Sequence, residues 1–119
     1  MPAVKPTISL DAHFARSSPA VRATYAAILK TSRALGPILV EPKKTSIHLV
    51  RKTAFAGIAT RKDALILTLK AASRIRGPRV HRAEQTSANR WHVEFRLESA
   101  AEVDRELRAW LGEAYSMSA

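Results

Sequence analysis

Eleven lysines and arginines fall between residues 43 and 82 (Lys43, Lys44, Arg51, Lys52, Arg61, Lys62, Lys70, Arg74, Arg76, Arg79 and Arg82), against one acid, Asp63. That segment carries the whole formal charge of the 119-residue chain, net +10, so the remainder is neutral. Ammonium and guanidinium groups at this density attract phosphates and other anions, and phosphate contacts fix a ligand without reading bases. Lys44, Arg51, Lys52, Arg61 and Lys62 are expected at strand ends and turns, where long side chains reach out together. Arg74, Arg76 and Arg79 would extend the patch from a neighbouring loop. The plainer alternative is a solvated sheet rim, where basic residues keep edge strands from pairing with other chains. Net +10 over forty residues is more than edge protection needs.

Other chemistry is sparser. His48 and His92 fall on expected strands and His81 in the basic region, a candidate polar set sensitive to mildly acidic pH, with His81 and His92 able to approach across a hairpin. His13 belongs to a short helix. No H-x-x-x-H spacing and no cysteine occurs, so no metal site, cofactor or thiol chemistry is expected. Glu94 and Glu98 share a strand face and Glu102 opens the next helix. Beside a basic track they meet the needs of a metal-dependent nuclease only loosely, and balancing Arg96 and Arg105 is the simpler role. There is no Walker loop, no G-x-S-x-G and no G-x-G-x-x-G, so no catalytic residue is assigned. Phe55, Trp91 and Phe95 read as core, which leaves no outward aromatic platform for stacking single-stranded bases. A nucleic acid would then be met through its duplex backbone.

These residues need a scaffold, and the periodicity supplies one. Pro2 and Pro6 suit a loose arm over residues 1 to 8. Ser9 or Asp11 is placed to cap a short helix carrying Leu10 and Phe14. Ser18-Pro19 opens a longer helix with Val21, Tyr25, Ile28, Leu29 and Leu35 at helical spacing, ended by Gly36-Pro37. Ile38 to Glu41 is a short strand or lead-in. Thr45 to Arg51 alternates, Ile47 and Leu49 against His48 and Val50. Ala54 to Thr60 is β-compatible, with Gly57 marking a bulge or a close approach. After a Lys62-Asp63 turn, Leu65, Leu67 and Leu69 share a face opposite Ile66, Thr68 and Lys70. A basic loop over residues 71 to 78 leads to a strand over Arg79 to Glu84. Then Trp91, Val93, Phe95 and Leu97 point inward, with His92, Glu94, Arg96 and Glu98 outward. Ser99-Ala-Ala-Glu102 is a capping box for a last helix lined by Val103, Leu107, Trp110, Leu111 and Ala114, with Asp104 and Arg108 spaced to pair. The expected fold is α+β: N-terminal helices, a mostly antiparallel sheet of four to six strands covered on one face, and a C-terminal helix.

At 46% hydrophobic and 25% charged, the chain reads as one globular domain over residues 1 to 119. The start lacks an apolar stretch of signal-peptide length, and no apolar run approaches the roughly 20 residues of a membrane span. With no cysteine, a cytoplasmic location is expected.

The segment Lys44-Thr-Ser-Ile-His-Leu, followed by Phe55-Ala at the next strand, resembles the middle of a bacterial family, domain of unknown function 5655 (DUF5655). So does the ending, from Val103-Asp104 through Trp110-Leu111 to Ala114-Tyr115. His13-Phe14 and Pro19 before a long helix, and Trp91-His92-Val before the last one, fit as well. The resemblance covers nearly the whole chain and implies the fold; it brings no established activity. On function, the residues favour a non-enzymatic module docking an anionic partner, either the backbone of duplex nucleic acid or a phosphorylated ligand. The alternative is a protein-interaction domain that forms a homodimer or docks an acidic protein through its last helix or an open strand edge. Least supported is an enzyme on a phosphorylated substrate using His48, His92 or Glu94 as acid and base.

Overall fold

The alternating segments all become strands in the computed structural model, which describes residues 10–119. They are β1 (Leu39–Pro42), β2 (Ile47–Val50), β3 (Ala54–Thr60), β4 (Leu65–Ala71), β5 (Val80–Ser87) and β6 (Arg90–Leu97). Two α-helices, α1 (Pro19–Leu35) and α2 (Arg105–Ser116), flank them in sequence, each preceded by a 3-10 turn, Asp11–Phe14 and Ala100–Glu102. The expected arm of residues 1 to 8 and the cap at Ser9 lie outside the described residues.

The sheet has the order β1-β2-β3-β4-β6-β5, and every neighbouring pair is antiparallel. The fold is α+β, with both helices on one face. Register explains the alternation read from the sequence. Leu65, Leu67 and Leu69 of β4 lie opposite Leu97, Phe95 and Val93 of β6, and all six are fully buried. They form one core with Ile28 of α1 and Leu107 and Leu111 of α2. Phe95 stacks on Trp110 with ring centroids 5.1 Å apart, a contact worth about 0.5–1.5 kcal/mol beyond its buried area. On the opposite face, Ile66, Thr68 and Lys70 lie across from Arg96, Glu94 and His92.

Four local expectations change. The buried stripe of α1 is Val21, Thr24, Tyr25, Ile28 and Ser32, whereas Leu35 is exposed. The Thr24 and Ser32 hydroxyls donate to the carbonyls of Ala20 and Ile28 one turn back, which lets polar side chains sit in the core. The bulge in β3 falls at Phe55, where the pairing jumps from Leu49↔Ala56 to Val50↔Ala54. Gly57 is regularly paired, and no backbone crowds it. The last helix starts later than a Ser99 box implies. Asp104 is its N-cap, accepting from the Leu107 N–H at 3.0 Å. The Ser99 side chain caps nothing, and Glu102 accepts from the Glu98 N–H instead. Asp104 therefore pairs with Arg79 at 3.3 Å rather than with Arg108.

The loop between β4 and β5 must pass over β6. It does so on the helical side, where Ile75 packs on the core and the Ala72 N–H donates to Glu113 of α2. Among the described residues, no helix is long and apolar enough to cross a membrane.

Candidate anion-binding site

Antiparallel pairing sends the β1–β2 turn (residues 43–46) and the β3–β4 turn (residues 61–64) to the same end of the sheet, because Ile47 faces Ile58 and Thr60 faces Leu65. Each turn is closed by its own hydrogen bond, Lys43 N–H to the Ser46 carbonyl and Arg61 N–H to the Ala64 carbonyl. The segment before α1 is stapled to the second turn. The Ser17 hydroxyl donates to the Arg61 carbonyl at 2.7 Å, the Ser18 N–H donates to the Lys62 carbonyl at 2.7 Å, and the Thr60 hydroxyl donates to the His13 carbonyl. Three chain segments thereby converge on a groove of about 540 Å³.

Arg16, Lys44, Arg61 and Lys62 line this groove together with His13 and the hydroxyl residues Ser17, Thr45 and Thr60. No acid lines it. All four cations are exposed, and none enters an ion pair among the described residues. His13 Nε2 is buried without a hydrogen-bond partner among the described residues. Asp63, in the same turn as Arg61 and Lys62, lines an adjoining depression with His81, Glu94 and Arg96.

The other basic residues lie elsewhere. Arg51 and Lys52 sit in the β2–β3 turn, at the far end of β3 from Arg61, about 20 Å away at a strand rise of roughly 3.3 Å per residue. Arg51 lies over the Tyr115 ring at 4.2 Å and donates to the Tyr115 carbonyl, and the Lys52 N–H donates to the Ser118 carbonyl. Arg79 reaches Asp104 and Glu106 at 3.3 and 3.0 Å, donates to the Glu102 carbonyl and lies over Trp110. Arg74 lies 6.0 Å from the centre of the Trp91 ring, on the helical side. Arg76 is exposed in the same loop. Of the eight basic residues singled out from the sequence, the fold gathers Lys44, Arg61 and Lys62. It adds Arg16 and His13, which sequence reasoning missed because nothing local links residues 13–17 to the turn at residues 61–64.

The histidines separate as well. His48 and His92 line a second groove, of about 550 Å³, on the helix-free face with Thr68, Lys70 and Glu94. His81 does not meet His92. Glu84 holds the position opposite His92, and the irregular pairing between Val80 and Arg82 leaves His81 beside the Glu94–Phe95 step. Lys70 donates to the Thr53 and Ser118 hydroxyls at 2.8 and 3.1 Å. Burial first, and the nearby Arg90 charge second, pull its ammonium below the ordinary lysine range. No group of three or more His, Asp or Glu among the described residues is placed to hold a metal ion.

A family model, Domain of unknown function (DUF5655), matches residues 10–118. Comparison with curated proteins and with solved structures finds no match. The matched region spans both candidate grooves and the whole described fold, and on it the chain belongs to that family.

Proposed function

We propose that this member of the DUF5655 family is a non-enzymatic binding module that docks a phosphate-bearing partner in the groove formed by Arg16, Lys44, Arg61 and Lys62. One observation carries the reading: four exposed cations converge on a groove without an acid in its wall or an ion pair among the described residues. Like charges brought together raise the energy of the free protein, and an anion relieves that repulsion. The Thr45 hydroxyl adds a neutral donor of the kind that contacts phosphate oxygens, while those of Ser17 and Thr60 are committed to the Arg61 and His13 carbonyls and hold the groove wall together. A cysteine-free chain suits such a role in the reducing cytoplasm.

Fluorescence anisotropy with labelled DNA at about 50 and 200 mM salt tests the reading, since phosphate contacts weaken steeply over that range. Lys44→Glu with Lys62→Glu is expected to weaken binding at least tenfold and to flatten the salt slope by about one unit per lost contact. Lys52→Glu, at the opposite end of β3, should change affinity less than about twofold, because its charge lies beyond a Debye length of roughly 8–10 Å. Equal losses in the two variants would remove the groove and leave only the net charge.

Self-association is the second reading, and Leu39 favours it. This residue is 62% exposed on the edge strand β1, and Leu35, four residues earlier at the end of α1, is exposed too. Such a contact would give a dimer by light scattering that persists at high salt and disappears in Leu39→Lys.

A further inference from the structure

Arg61 lines the basic groove, the larger groove on the helix-free face and the depression around His81 and Arg96. It therefore joins a cationic end to a surface of different chemistry. The floor of the larger groove includes Gly57 and Ala59 of β3, which bring no side chain beyond a methyl group. A cross-strand row runs over this floor: His48 faces Gly57, Gly57 faces Thr68, and Thr68 faces Glu94. An imidazole and a hydroxyl thus flank a small patch of sheet, with a carboxylate one strand beyond the hydroxyl. Packing does not demand the glycine. A Cβ built there would meet only His48 Cδ2 and Thr68 Cβ, both at 3.9 Å. Its effect is to leave the floor open.

We propose that the ligand is a nucleoside phosphate whose base is unpaired, either a free nucleotide or a single strand, with phosphate in the basic groove and the base on the Gly57–Ala59 floor. The inference rests on the anion-binding reading and narrows its ligand. A planar heterocycle matches a floor with no side chain larger than a methyl group. His48 can stack on it, as histidine does with splayed bases. Glu94 can accept from an exocyclic amino group, as a carboxylate does from cytosine. The same carboxylate repels phosphate, so the ligand enters with its anionic end toward Arg61 and Lys62. A duplex keeps its bases stacked and cannot lay one on this floor.

The test measures anisotropy of a labelled single-stranded oligonucleotide and its duplex, with ATP and inorganic tripolyphosphate as competitors, on the wild type, Gly57→Leu and His48→Ala. The expected result is single-strand affinity at least tenfold above duplex, with Gly57→Leu reducing it about tenfold, the scale of one lost stacking contact, and leaving tripolyphosphate competition unchanged. His48→Ala should act in the same direction and stands in where Gly57→Leu fails to fold. ATP outcompeting tripolyphosphate assigns the site to free nucleotides; an oligonucleotide preferred over ATP assigns it to strands. Duplex and single strand bound equally, with both variants silent, overturns the proposal and leaves the basic groove standing. No binding of any anion overturns both.

Discussion

The Arg79 guanidinium commits its donors inside the molecule, to Asp104, Glu106 and the Glu102 carbonyl, and is only 21% exposed. Lys44 carries the same charge and commits to no acid among the described residues. Nothing in the sequence tells these two apart. The Glu106 partner of Arg79 is 27 residues away and the Tyr115 carbonyl that holds Arg51 is 64 away, so which cations are occupied is a tertiary property. Arg79→Ala is expected to cost about 1–2 kcal/mol in urea unfolding, from a charge-assisted bond to the carbonyl and partly solvated ion pairs. Arg76→Ala, in the same loop, should stay within about 0.5 kcal/mol. Asp104 makes the matching prediction in pH. The Leu107 N–H, joined by the weaker charge and hydrogen bond of Arg79, outweighs the opposing desolvation and holds its carboxyl below the ordinary 3.8. A carboxyl depressed by folding stabilises above its unfolded pKa, and that share is lost as pH falls through the folded value. Asp104→Asn should therefore flatten the pH dependence of stability below about pH 4, as read by urea midpoints from pH 2 to 6.

The helices and strands themselves were largely readable, because burial of one sheet face imposes a period of two that β6 displays from His92 to Leu97 and β4 from Leu67 to Ala71, Ile66 being buried on the other face as well. Their ends were not. A serine with a glutamate three residues later is a sound start signal, yet Asp104 wins because its carboxylate reaches the Leu107 N–H while Arg79 stands beside it. Gly36 shows what an end can demand. It has φ 149° and ψ −169°, a region essentially restricted to glycine, and an added Cβ would sit 2.3 Å from Tyr115 Oη. That hydroxyl donates to the Pro37 carbonyl at 3.2 Å, so the close of α1 is locked against α2. Gly36→Ala is expected to destabilise by about 1–3 kcal/mol. Adding Tyr115→Phe should recover only part of that loss, since the backbone conformation stays unfavourable whatever the ring carries. Full recovery in thermal or urea unfolding would mean that the clash alone sets the cost.

At the scale of the molecule, the basic groove exists only when the β1–β2 turn, the β3–β4 turn and the segment before α1 meet. Charge density marked the first two, and no sequence signal marked the third. Sheet order was equally hidden, since β6 lies between β4 and β5 although it follows both in the chain. Protection should follow position in the sheet. Amide hydrogen exchange is expected to be slowest in β4 and β6, flanked by strands on both sides, and fastest in β5, an edge strand with most side chains exposed. Comparable protection in β5 would mean that another chain covers that edge. The insertion of β6 also orders events during synthesis. Until residues 90–97 leave the ribosome, β5 has no neighbour to hydrogen-bond and β4 lacks one of its two partners. A nascent chain halted before Arg90 would hold β1 to β4 as a meander with a bare inner edge, so the sheet cannot close until β6 has emerged.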